Sequence, residues 1–238
     1  MYRERAARAV PGAVLWSWRT EGDAGTGRVL PDGCMDLIWT GGGLLVAGPD
    51  TVAQPAERLP GDHTVGLRFA PGTAPAVLGV AAWELRDRRV PLGALWPGAE
   101  ARVALERVAE ADDRAAALEA LVRQRTDGPA RDPLREAVGD PVRRGVLDGL
   151  RRGVGVAGLA AELSLSERQL LRRCQELFGY GPKTLHRVLR LERALAAARA
   201  GEPFARVAAG AGYADQAHLA REVRALAGVP LTELLAGP

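Results

Sequence analysis

The chain has 238 residues, enough for one large domain or two of ordinary size, and 47% of them are hydrophobic, which excludes a mainly disordered protein. No apolar run reaches the ~20 residues of a membrane span, the amino terminus lacks a signal peptide's apolar stretch, and two cysteines far apart, Cys34 and Cys174, exclude a disulfide framework and a four-cysteine zinc site. The net charge of +3 hides an asymmetry: residues 133–238 carry 16 basic and 11 acidic side chains, residues 1–132 carry 16 and 18. The expectation is a cytoplasmic protein without membrane contact, metal or cofactor, since His63, His186 and His218 form no local ligand pair. A basic excess argues for nucleic acid only if its arginines share a face.

In chain order, short strands are predicted at 14–18 (VLWSW), 35–39 (MDLIW), 44–47 (LLVA) and 63–69 (HTVGLRF), punctuated by PDG, GGG, GPD and PG. Helical pattern begins near Ala74, with short segments at 74–81 and about 82–87. One long helix over 101–125 follows, with Val108, Ala111, Ala115, Leu118 and Leu121 or Val122 spaced at threes and fours. Gly128, Pro129 and Pro133 end it. All five tryptophans lie before residue 97, so the chain divides into a first domain (1–125), a linker (126–139) and a helical second domain (140–238).

Gly153, Gly155 and Gly158 match a dinucleotide-binding G-x-G-x-x-G, but the stretch before them is helical and no strand follows. A glycine-rich turn between helices suffices. Beyond it lies a weak internal repeat. Leu159-Ala160-Ala161 answers Val207-Ala208-Ala209 at an offset of 48, and Ser166, Leu170, Arg172 and Gly179 answer Asp215, Leu219, Arg221 and Gly228 at 49. Each copy reads as helix, turn and second helix, the latter opened by Ser166 or Asp215 as N-cap, with Gln169 completing a capping box in the first. Helical spacing buries Leu170, Cys174, Leu177 and Phe178 and leaves Arg168, Leu171, Arg172 and Gln175 outside. In the second copy Leu219, Val223 and Leu226 or Ala227 face in, while Gln216, Ala217, Ala220, Arg221 and Arg224 face out. Such faces suit a major groove, where arginine bridges guanine and glutamine reads adenine; each by itself could equally be a solvated helix face.

With these residues in place, the region from about 140 to 235 resembles the double helix-turn-helix domain of AraC-type transcriptional regulators, a bacterial family. The likeness rests on LAAELSLSERQLLRRCQELFGYGPKTLHRVLRLERAL (159–195) and VAAGAGYADQAHLAREVRALAGVPLTELL (207–235), above all on Gly179 with Pro182 and on Gly212 to Gln216. The resemblance implies seven helices, with one of about 183–200 joining the two motifs so that both reading helices enter successive major grooves, ~34 Å apart, of double-stranded DNA. It also implies that Arg168, Leu171 and Arg172, and Gln216, Ala217, His218 and Arg221, are the base-reading positions. Cys174, Leu219, Val223 and Ala227 stand where the family usually buries phenylalanine, and Ala217 occupies a usually polar contact position.

The first domain resembles an amino-terminal sensor domain of some members through 30–43 (LPDGCMDLIWTGGG), 47–51 (AGPDT) and 67–72 (LRFAPG). That likeness implies a small-molecule effector, a homodimer, or both; contact with RNA polymerase is a further expectation. Trp16, Trp18, Trp39 and Phe69 could wall an apolar pocket with Asp36, His63 or Arg68 as polar anchors, or simply form a tryptophan-rich core. The expected fold class is α+β: a small β-rich domain, cupin-like or otherwise, with helices, then an all-α double helix-turn-helix domain. A non-enzymatic regulator is expected, since G-x-S-x-G, H-E-x-x-H and P-loop motifs are absent. One rival is a regulator without effector whose first domain dimerises. The other is a repair protein accepting alkyl groups on Cys34, as happens in a protein with AraC-like motifs, though the zinc-held cysteine cluster of that chemistry is missing.

Overall fold

The computed structural model describes residues 1–20, 23–127 and 132–236. Alternating side chains build an antiparallel sheet from β1 (Tyr2–Ala6), β2 (Val14–Arg19), β4 (Asp36–Thr40), β5 (Gly43–Ala47), β7 (His63–Arg68) and β8 (Arg89–Pro91), in the order β1-β2-β7-β4-β5-β8. A two-stranded ribbon pairs β3 (Gly25–Val29) with β6 (Gln54–Arg58). Opposed residues share a face, so the pairings Leu15↔Leu67, Leu37↔Leu67 and Leu37↔Val46 put these four on one side, where all are buried. The pairings Trp16↔Gly66, Trp18↔Thr64 and Asp36↔Arg68 lie on the other side.

The buried face packs against α1 (Ala74–Leu78), α2 (Gly98–Glu110), α3 (Arg114–Thr126) and α4 (Pro133–Gly139), sharing one core with Val77, Leu78, Ala104, Val108, Leu118, Val122 and Leu134. The single helix expected over 101–125 is therefore two. Ala111 is extended, and Asp113 Oδ1 accepts the Ala116 amide at 3.0 Å as an N-cap, turning the chain back. Spacing across the turn mimics one stripe because both helices face the same sheet. The segment near 82–87 is a 3₁₀ turn, Ala82–Leu85, and β1, β8 and the ribbon carry no run strong enough to be read beforehand. The stretch 126–139 is no plain linker: Asp132 caps α4, whose Leu134 is 1% exposed within the first core. Gly128 and Pro129 lie outside the described residues.

Among the described residues seven further helices follow: α5 (Pro141–Arg151), α6 (Val156–Glu162), α7 (Glu167–Phe178), α8 (Pro182–Arg199), α9 (Phe204–Ala211), α10 (Gln216–Ala227) and α11 (Leu231–Ala236). Gly153 is left-handed and Gly155 caps α6, so the glycine motif is an interhelical turn. α8 serves two cores. Its Leu185 and Val188 join Val146, Leu150, Leu159, Leu170, Cys174 and Phe178, and its Leu191, Ala194 and Leu195 join Val207, Leu219, Val223 and Leu226. Among the described residues no helix is long and apolar enough to cross a membrane.

The two halves meet closely. The buried Arg143 guanidinium donates to the carbonyls of Pro71 (2.8 Å), Ala137 (3.0 Å) and Val138 (3.0 Å). A Cβ on Gly179, the left-handed C-cap of α7, would stand 2.3 Å from Pro49 Cγ, and the Ala53 amide donates to the Leu226 carbonyl of α10 at 2.7 Å. Both α7 and α10 are thus anchored near their C-terminal ends to the sheet-bearing half.

Candidate nucleic-acid interface

Ser166 opens α7: its Oγ accepts the Gln169 amide at 3.2 Å, while Gln169 Oε1 accepts the Ser166 amide at 2.8 Å. This fixes the helix's rotation. Leu170, Cys174 and Phe178 are buried; Arg168, Leu171 and Arg172 are exposed and Gln175 is half-buried. Arg172 keeps 73% of its side chain in solvent, with Nε 3.6 Å from Glu176 Oε1. Arg173 points elsewhere, held at 2.9 Å by both Asp140 Oδ2 and Glu176 Oε2. Glu176 at the rim of the arginine face is a feature helical spacing did not bring out.

α10 repeats the design. Asp215 Oδ1 accepts the His218 amide at 2.6 Å, Leu219, Val223, Leu226 and Ala227 are buried, and Gln216, Ala217, Arg221 and Arg224 are exposed. His218 differs from its neighbours. Its ring stands edge-on to Tyr213 at 5.3 Å and Nδ1 accepts the Ala214 amide at 3.3 Å, so it braces the turn before the helix. The preceding turns also match: Ser164 (φ 53) and Gly212 (φ 81), 48 positions apart, are both left-handed. The connector pins the second motif through Arg187, which reaches Glu222 at 2.9 and 3.3 Å, and Arg193, which donates to the carbonyls of Arg151 and Ala211.

The residues expected to line one pocket in the first half do not all meet. Trp16, Trp18, Asp36 and Arg68 share the sheet face opposite the one that α1 to α4 cover. Trp16 Nε1 donates to Asp36 Oδ1 at 2.5 Å, and Arg68 Nε lies 3.1 Å from Asp32 Oδ2 and 3.4 Å from Asp36 Oδ1. The Trp16 indole lies over Gly66, where a Cβ would stand 2.3 Å from Cε2, and Tyr2 leans on both indoles at 6.5 and 6.1 Å. Burial pushes Asp36 up from the usual carboxylate range, with Arg68 and the Trp16 hydrogen bond pulling it back. Trp39 and His63 lie on the opposite face, 6.2 Å apart, with the Arg114 guanidinium 4.3 Å over Trp39. Phe69 is part of the core. The alternation along MDLIW separates Asp36 from Trp39, and the pairing of β2 and β7 with β4 sets Trp16 on one side and His63 on the other.

Residues 159–237 match the family model of a helix-turn-helix domain. The C-terminal part of the chain therefore carries a helix-turn-helix domain. Residues 13–91 match a domain of unknown function (DUF6597), and no curated protein matches the chain. Solved structures of ToxT from Vibrio cholerae are similar along the whole length. One is 10% identical with a TM-score of 0.48, covering 99% of this chain and 97% of that one; another, titled as unsaturated fatty acid bound, is 10% identical with a TM-score of 0.45, covering 94% of each.

Two surface groups beside the first helix-turn-helix motif escaped the sequence reading: Trp83 and Arg86, which line a hollow with Arg172, Gln175 and Glu176. A tryptophan followed within three residues by the charged run RDRR was the available signal. Neither cysteine is an activated thiolate. Burial pushes Cys174 up to about 12, and burial with the nearby Asp32 and Asp36 charges pushes Cys34 well above its ordinary value.

Proposed function

We propose that the chain is a sequence-specific DNA-binding transcription regulator whose α7 and α10 read successive major grooves. The observation that carries this is the matched pair: two helices opened by side-chain caps, preceded by left-handed turn residues at the repeat offset, each presenting exposed arginine, and both seated on one connector. Arg168, Leu171, Arg172 and Gln175 would face the first groove; Gln216, Ala217, Arg221 and Arg224 the second, with His218 at its margin. Arg172→Ala should weaken binding to a selected operator by roughly 1–3 kcal/mol through loss of guanine pairing and leave random duplex less affected. Electrophoretic titration on both duplexes checks it, and equal losses would reassign Arg172 to phosphate contact. The log-log salt slope should be about −0.9 per phosphate neutralised.

The sheet face carrying Trp16, Trp18, Asp36 and Arg68 supports a second element of this reading, a small-molecule effector with an apolar body and a polar head. Indole walls supply contact area, and the half-buried Arg68 and the buried Asp36 supply direction. Thermal-shift screening of the full chain should find apolar ligands that raise its melting temperature. Arg68→Ala should abolish that rise, and a ligand response unaltered in this variant would remove the face from consideration. Self-association and contact with RNA polymerase, in the cytoplasm where such regulators meet the genome, complete the proposal; sedimentation with and without operator tests the first.

A further inference from the structure

The seam between the halves places part of the sheet-bearing half next to α7. A hollow of about 370 Å³ is lined by Trp83, Arg86, Arg172, Gln175 and Glu176. Its outer wall is rigidly seated. A Cβ on Gly48 would stand 1.7 Å from the Leu85 carbonyl oxygen, the Gly48 amide donates to the Arg88 carbonyl at 2.9 Å, and Asp50 grips Arg89 through two bonds of 2.8 and 2.7 Å. Asp87 accepts from the Thr51 amide and hydroxyl at 2.6 and 2.9 Å, and Ala82 and Pro49 pack on Gly179 at the end of α7.

Within the run Arg86 to Arg89, three side chains are engaged: Asp87 with Thr51, Arg88 with the Glu84 carbonyl and Arg89 with Asp50. Arg86 is exposed, and among the described residues no ion pair or hydrogen bond holds its guanidinium. Trp83 beside it leaves 53% of its surface in water. The acid in the hollow, Glu176, is already balanced by Arg172 and Arg173. Nor does this wall cover the reading face, since Leu171 is 43% exposed and Arg172 more so.

We propose that the sheet-bearing half is itself part of the DNA interface: Arg86 pairs with a backbone phosphate flanking the first half-site, and Trp83 packs along the adjoining sugar edge. An unpaired cation continuous with Arg172 and Gln175, on a wall fixed to the same helix, meets a polyanion lying along α7. The inference rests on the reading of α7 given above.

Full-length Arg86→Ala, Trp83→Ala and Arg172→Ala, each checked by thermal melting, should be titrated over a range of salt. The duplexes are one selected by the protein from a random-sequence pool and an unselected one of equal length. Arg86→Ala should bind both severalfold more weakly, its log-log slope shallower by about 0.9, with protection shortened on the flank beside α7. Trp83→Ala should weaken binding with the slope unchanged. If Arg172→Ala loses affinity for the selected duplex while Arg86→Ala matches the wild type in affinity and slope, the inference falls and the reading of α7 stands. Tighter binding by either wall variant also overturns it, pointing to a shield or a protein-docking surface. Failure of Arg172→Ala to alter binding removes both.

Discussion

At the scale of single residues, the two motifs solve one turn in unequal ways. Gly212 takes the left-handed conformation at no steric cost, whereas Ser164 at φ 53 holds a side chain there at roughly 1 kcal/mol. Ser164→Gly should therefore raise the free energy of unfolding by no more than about 0.5 kcal/mol in a denaturant titration, the steric relief narrowly exceeding glycine's added unfolded-state entropy. Arg143 is the opposite case. One guanidinium satisfies three carbonyls, and burial, partly offset by the nearby Asp140 charge, lowers its proton affinity. Arg143→Ala should cost about 2–3 kcal/mol in the same titration by stranding those oxygens away from water.

At the scale of elements, what distinguishes α10 from an ordinary surface helix is its tie to the connector. The hydrogen bond from Arg187, and then its charge, holds Glu222 below its ordinary 4.5. A carboxyl lowered in the folded state stabilises above its unfolded value and loses that contribution as pH falls through the folded one. The tie between α8 and α10 is thus complete at neutral pH and fails on the acid side of about 4.5. Because the pair is partly exposed, its worth is about 0.2–1 kcal/mol. Comparing unfolding of the wild type and Glu222→Gln should show a difference at pH 7 that closes toward pH 3; a constant gap would assign the effect to packing.

At the scale of the whole molecule, the halves act as one body because backbone meets backbone at the seam. Gly179 has no room for a side chain against Pro49 and the Ala82 carbonyl, and the Ala53 amide bonds the Leu226 carbonyl. Gly179→Ala should cost roughly 2 kcal/mol or more by forcing these surfaces apart and straining a left-handed backbone. Hydrogen exchange should then quicken around the 3₁₀ turn and the end of α7, while the cores of the helical half stay protected. Uniform acceleration would mean that the seam does not hold the turn in place.

Local chemistry determined the helical half. Caps, turn residues and apolar spacing lie within a few positions of one another, so LAAELSLSERQLL already states where α6 ends, where α7 begins and which side chains face out. The strands at 14–19, 36–40, 43–47 and 63–68 were legible for the same reason, through alternation bounded by turns. Only tertiary structure decided the rest. Strand order, the split of the long helix, the seating of Trp16 beside Asp36 and of His63 beside Trp39, and the placing of Trp83 and Arg86 beside α7 depend on contacts between residues far apart in sequence. Such contacts leave no periodic trace in the chain, because each is set by which surfaces can pack once the local pieces exist.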